Sequence, residues 1–208
     1  MRSAEELFAR ALRGEPCVIV GLGDQPAPLP VEEWLRPVDA DDEAILRHCV
    51  GPTLDIGCGP GRMTAALTEA GEVVLGIDVV PAAVAETCSR GGVAMRRDLF
   101  GPLPGEGRWA CALLADGNVG IGGDPERLLG RVRGLLGTGG RAIVEVAGPG
   151  IPAVSLSLCL DVGGSRSQPF PWALVGTDGI EQVATDAGLM TRSVHRHGER
   201  WCAVLEAP

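Results

Sequence analysis

The sequence predicts an α/β fold: a doubly wound, mostly parallel seven-stranded sheet with helices on both faces. Three observations carry this expectation. Short, continuously apolar runs alternate with longer segments of helical character, as strands do when helical crossovers bury them on both faces. The run Thr53-Leu-Asp-Ile56 breaks into Gly57-Cys-Gly59-Pro-Gly61, a turn whose backbone must come close to something that side chains would block. The next run, Val73-Val-Leu-Gly-Ile77, stops on Asp78, 21 positions after Gly57. A strand, glycine loop, helix and strand that hold a nucleoside place the ribose-binding acid roughly 20 positions on.

The elements follow in order. Residues 3–13 read as an amphipathic helix whose Ser3 and Glu6 have the capping-box spacing. Residues 16–20 are a short strand, 21–30 a Gly/Pro-rich loop and 31–36 a turn of helix. Residues 39–49 are a helix with Asp39, Asp41 and Asp42 at its positive end. This extension, 1–50, is too small for a core of its own and is expected to lie as a cap over the ligand side of the main unit, 51–208. In that unit, strands fall at 53–56, 73–77, 93–97, 109–114 and 141–146. Helices fall at 62–70, 81–90, 125–136 and 177–187, three of them opening near a proline. Residues 189–196 and 200–206 close the fold as a hairpin over His197-Gly-Glu. Residues 151–175 break the alternation. Serines alternate with apolar residues, Gly163-Gly-Ser-Arg-Ser turns, and Pro169-Phe-Pro-Trp-Ala-Leu-Val follows. This reads as a hairpin inserted after the fifth strand, at the carboxyl end of the sheet where ligands bind. It is either a substrate lid or an edge hairpin that only packs.

Composition narrows the function. The net charge is −9, and all 18 basic residues are arginine, scattered without a stripe or tail. A chain that must neutralise many phosphates looks different, so nucleic acid is a poor partner. No tyrosine and 3% aromatics remove most base-stacking platforms. Seven cysteines without CxxC or Cys/His ligand spacing read as reduced, buried small hydrophobes. With no signal-peptide pattern and no apolar run near the ~18 residues of a membrane span, the expectation is a cytoplasmic protein that leaves membranes alone. The oligomeric state is left open.

The glycine loop departs from the dinucleotide pattern. Its third glycine comes one residue early, and an acid, Asp55, stands two residues before Gly57. That acid is awkward for a pyrophosphate and suits an ammonium. The motif resembles the first motif of class I S-adenosylmethionine-dependent methyltransferases, and the resemblance covers roughly residues 53–146. It implies that Gly57, Gly59 and Gly61 wrap the methionine and ribose parts of S-adenosylmethionine. It also implies that Asp55 helps hold the amino group and that Asp78 binds the ribose. Asp98 would bond the adenine amino group, with Leu99 against the ring. The stretch after strand four, Ala115-Asp116-Gly-Asn118, would lie beside the transferring methyl. The closing strand pair would have its last strand antiparallel. The chain lacks the Asn/Asp-Pro-Pro-aromatic signature of nucleic-acid base methylators, so a small-molecule acceptor is expected.

Methyl transfer from a sulfonium needs positioning first and a base only for a poor nucleophile. Asp116 is the candidate acid/base or substrate-orienting group, and Asn118 offers an amide beside it; a turn acid is the plain alternative. Phe170 and Trp172 are the candidate wall for an apolar or planar acceptor, and Arg166 is a candidate partner for an acidic one. His48 suits a helix C-terminus, and His195 and His197 an exposed hairpin tip. No spacing of histidines and carboxylates suggests a metal. Two rival functions are an NAD-dependent oxidoreductase and a non-catalytic cofactor-binding protein on the same fold.

Overall fold

The computed structural model describes residues 2–208. Its centre is a seven-stranded sheet built from β3 (Thr53–Ile56), β4 (Val74–Asp78), β5 (Ala94–Arg96), β6 (Trp109–Leu114), β7 (Leu136–Val146), β11 (Met190–His197) and β12 (Arg200–Glu206). The strand order is β11-β12-β7-β6-β3-β4-β5. β3 to β7 run parallel to one another, while β12 runs antiparallel to both β7 and β11. The chain order therefore reverses between β3 and β6, the switch point at which ligands bind such sheets.

Strand alternation sets the two faces. Leu54, Ile56, Ala112, Leu114, Ala142 and Val144 turn to one side and bury against α6 (Pro125–Leu135) and α7 (Ile180–Asp186). Cys111, Leu113, Ile143, Cys202 and Val204 turn to the other, where α3 (Ala40–Leu46) and α4 (Arg62–Glu69) supply Ile45, Met63 and Leu67. α5 (Pro81–Ser89) packs along β4 and β5. Pro81 and Pro125 open their helices in the first turn, where a missing N–H costs nothing, and Asp124 caps α6 by accepting from Arg127 N at 3.0 Å.

Two findings differ from the sequence expectation. Strand five begins at Leu136, directly after α6, where Leu136 pairs with Trp109; residues 137–140 then bulge out, with Gly139 at φ 70°, and pairing resumes at Arg141 with Cys111. The extension and the insertion, read above as separate pieces, join into one small sheet. β1 (Cys17–Val20) pairs antiparallel with β8 (Val154–Val162), which pairs with β10 (Phe170–Leu174). β2 (Ala27–Pro28) and β9 (Ser165–Arg166) complete it. Leu7 and Ala11 of α1 (Ala4–Leu12) pack with Cys17, Leu160 and Val162. The extension, too small for a core of its own, thus shares a small apolar core with the insertion. α2 (Val31–Leu35) follows β2 and brings Trp34 to within 5.7 Å of Phe8.

Candidate active site

Between the parallel sheet and the small sheet lies a cavity of about 470 Å³. Its floor is the turn from β3 into α4. Gly57, Gly59 and Gly61 have φ of 71°, 54° and 83°, the left-handed region that side chains disfavour. The three glycines have different neighbours. A Cβ at Gly61 would stand 2.5 Å from Thr87, and one at Gly57 2.8 Å from the Asn118 amide. Both are packed against protein. At Gly59 a Cβ would meet nothing nearer than 4.0 Å, so its open side belongs to the cavity.

Asp78 ends β4 beside this turn. Its Oδ2 accepts from Gly59 N at 3.0 Å and its Oδ1 from Val80 N at 2.8 Å. Burial pushes its carboxyl up, and those backbone donors oppose the shift. The carboxylate is thereby fixed at the cavity wall with lone pairs left for hydroxyl donors. Asp55 lies deeper and fully buried. Burial pushes it up to about 7, although Thr64 Oγ1 donates to it at 2.6 Å. Such a carboxyl is only partly ionised near neutral pH, and a cation beside it would favour the carboxylate. Asp98 accepts from Phe100 N at 3.0 Å in the turn after β5, and Leu99 is buried beside it; both line the cavity.

Ala115, Asp116 and Asn118 also line it, yet their polar groups are already engaged. Asn118 donates from Nδ2 to the carbonyls of Ile56 and Gly57, both at 2.9 Å. It braces the glycine loop. Asp116 sits at φ 53°, the one described non-glycine residue with positive φ. Its N donates to Glu145 Oε2 at 2.6 Å, and its carboxylate accepts from Arg62 Nη2 at 2.7 and 2.8 Å and from Arg200 at 3.2 Å. Burial pushes the Asp116 carboxyl up and Arg62 draws it back. Arg62 and Arg200 also converge on Asp42, which is inaccessible to solvent and receives Arg36 at 2.6 Å as well. Arg200 closes the network on Glu145 at 2.6 Å. Three carboxylates face three guanidiniums, so the buried charge is paired. Asp42, Arg62, Glu145 and Arg200 escaped the sequence reading. The signal for Arg62 was its place as first residue of the helix after the loop. The other three come from distant elements.

The roof is apolar. Phe170, Trp172 and Leu174 of β10, Leu158 and Leu160 of β8, Ile19 of β1, and Phe8 and Trp34 of the extension face the cavity. The glycines after β6 admit β10: Gly120 and Gly123 lie against Ala173, Trp172 and Pro171 with no room for a Cβ. Arg166 is elsewhere, on exposed β9, 3.7 Å from Asp161, and does not line the cavity.

The lining fits the cofactor that the sequence motif implies. Gly59 leaves the loop open, Asp78 keeps lone pairs for hydroxyls, and a cation would favour the ionised form of Asp55. The buried Nε of Arg62 has no hydrogen-bond partner among the described residues, and Arg62 lines the same cavity. An amino-acid end with an ammonium and a carboxylate answers both needs.

Comparison with known proteins agrees. Residues 54–99 match the family model described as a methyltransferase domain. A search of curated proteins finds no match. Among solved structures, an S-adenosylmethionine-dependent methyltransferase from Bacteroides fragilis, in complex with S-adenosyl-L-homocysteine, superposes with a TM-score of 0.79. It shares 18% identity, over 99% of this chain and 94% of its own. The CcbJ methyltransferase from Streptomyces caelestis gives 0.63 at 18% identity, over 84% and 92%. The 1,6-didemethyltoxoflavin-N1-methyltransferase of Burkholderia thailandensis gives 0.58 at 19%, over 80% and 76%. The chain thus shares its fold with S-adenosylmethionine-dependent methyltransferases, and the segment that carries its glycine loop matches a methyltransferase-domain model.

Proposed function

We propose that the protein transfers a methyl group from S-adenosylmethionine to a small, largely apolar and planar acceptor held beneath the β8–β10 roof. The observation that carries this is a single cavity whose floor is the glycine loop with Asp78 and whose roof is aromatic and aliphatic. When bound, the cofactor supplies an activated methyl. The chain's own residues supply position and dryness. Asp78 takes the ribose hydroxyls, Asp55 and Arg62 take the amino-acid end, and Asp98 with Leu99 takes the adenine. Asn118 keeps the loop in shape. Phe170 and Trp172, with ring centroids 6.4 Å apart and edge to face, form the wall against which the acceptor lies, and they exclude water.

Asp116 is tied to Arg62 through both oxygens, which makes it a positioning residue rather than a free base. The acceptor therefore brings its own nucleophile, such as a ring nitrogen or an amine. Small acceptors also appear among similar structures: the Burkholderia protein was crystallised with 1,6-didemethyltoxoflavin, and another is a sugar N-methyltransferase. Titration of the purified protein by calorimetry with S-adenosylhomocysteine and with NADH tests the cofactor assignment. Tight binding of the first and none of the second is expected, and the reverse would favour a dehydrogenase. A radiolabelled-methyl assay over planar heterocycles and amines tests the acceptor class. Transfer to none of them would point to a binding protein on this fold.

A further inference from the structure

We propose that the chain holds one transition-metal ion of the zinc class at His48, His197 and Cys202, away from the cofactor cavity. Its three histidines are the only ones it has, and the fold collects all of them in one place. His48 follows α3; His195 and His197 lie on β11. The Nε2 atoms of His48 and His197 stand 3.3 Å apart although 149 positions separate them. The rings of His48 and His195 stack with centroids 4.5 Å apart. Cys202, on β12 directly across from His195, is inaccessible to solvent and forms the floor. The donor atoms of His48, His197 and Cys202 lie within 4.8 Å of one another.

The Nε2–Nε2 spacing, that of a hydrogen bond between the two rings, is also that of a ligand edge. Around a tetrahedral ion with metal–nitrogen bonds of about 2.0–2.1 Å, neighbouring nitrogens stand about 3.3–3.4 Å apart, and a nitrogen and a thiolate sulfur about 3.5 Å. The two imidazoles already have the tetrahedral edge. The sulfur needs a shift of about 1.3 Å at most, within reach of a side-chain rotation. Two imidazoles and a thiolate are borderline-to-soft donors. They favour zinc-class ions over magnesium or calcium, which take oxygen. The fourth position falls to water; His195 stands outside the convergent donor set, with its Nε2 2.7 Å from Ser193 Oγ. On binding, the metal–sulfur bond replaces the Sγ–H bond and the proton leaves to solvent, so charge and atoms balance.

None of these residues lines the cofactor cavity. The site joins the last turn of the extension's helix to the closing hairpin. α3 also carries Asp42, the carboxylate that holds Arg62 and Arg200. The ion would act as a rivet that fixes α3 on the sheet. Histidine spacing along the sequence hid it, because two of its ligands stand at opposite ends of the chain.

The test uses the full chain. Chelator-treated protein is titrated with Co²⁺ while visible d–d bands and the sulfur-to-cobalt charge-transfer band are recorded, and Zn²⁺ is then added in competition. One equivalent, a tetrahedral spectrum with the thiolate band, and displacement by Zn²⁺ are expected. His48→Gln, on a half-buried side chain that is no part of the cavity, should weaken Co²⁺ by at least about tenfold with unchanged affinity for S-adenosylhomocysteine. Cys202→Ala should abolish the charge-transfer band, while Cys88→Ser, at an exposed thiol, should not. Absence of stoichiometric Co²⁺ binding, full binding by His48→Gln, or loss of the thiolate band in Cys88→Ser would each overturn the site.

Discussion

The floor of the cavity comes from one contiguous stretch, the end of β3 through the start of α4, joined by the tips of β4, β5 and β6. The roof joins β1 near one end of the chain to β8 and β10 near the other. The floor is polar and backbone-rich: left-handed glycines, buried acids, donors without room to move. The roof is side-chain-rich and apolar. A sheet switch point dictates the first, because any ligand there meets the open ends of parallel strands. In the proposed function the second faces the acceptor. Mutations in the two regions should therefore separate cofactor binding from acceptor binding.

The largest effect is expected at Gly61. Valine there meets both the left-handed φ of 83° and Thr87 at 2.5 Å. We expect a loss of more than about 3 kcal/mol of stability, seen as a fall in Tm of roughly 10 °C, and no calorimetric binding of S-adenosylhomocysteine. Gly59→Ala sharpens the point. Its open surroundings limit the folding cost to about 1–2 kcal/mol, while affinity for the same compound falls at least about tenfold. Equal damage to folding in both variants would show that the loop is only a packed turn.

Asp55 gives the next effect, through pH. Its carboxyl sits at about 7 in the folded chain against 3.8 when unfolded. The folded state thus holds a proton that the unfolded state has released, so stability falls as pH rises from about 4 to 7 and levels off above. The drop is bounded at roughly 4 kcal/mol. Asp55→Asn should flatten that part of a urea-denaturation series. Affinity for the cofactor's ammonium moves the other way, rising with pH through about 7 as the carboxylate forms. A parallel pH profile in Asp55→Asn would remove Asp55 from the site. Asp78→Ala should follow, with S-adenosylhomocysteine weakened about 100-fold; Tm should fall as well, by less than in the Gly61 variant, because Gly59 N and Val80 N lose their acceptor.

These expectations also show what the residues reveal in order and what they hide. Three glycines and two acids within some twenty positions announce the floor, since backbone geometry there is local. Strand four was legible to the residue, at Trp109–Leu114, because its apolar run has sharp ends. The pairing of β1 with β8 was not, since nothing in residues 17–20 names a partner across the whole chain. Asp116 was visible as an acid after strand four, but its bond to Arg62 through both oxygens was not. Asp42 looked like a helix-capping acid and does form a capping box with Asp39. Its second oxygen's partners, Arg62 and Arg200, come from other elements.

The smallest effects on the cofactor are expected in the roof. Trp172→Ala removes an edge-to-face partner of Phe170 and opens the wall, while the floor keeps every bond described above. The affinity for S-adenosylhomocysteine should stay within about threefold and the acceptor KM should rise about tenfold, the share that a buried aromatic anchor carries in recognition. Arg166→Ala is the control within the same hairpin: its guanidinium is exposed, pairs loosely with Asp161 and lies off the cavity. An exposed pair of this kind contributes at most about 1 kcal/mol, so neither KM nor cofactor affinity should move. If Arg166→Ala raised KM as much as Trp172→Ala, the acceptor would carry an acidic group that reaches past the roof, and the division into a cofactor floor and an apolar acceptor roof would fail.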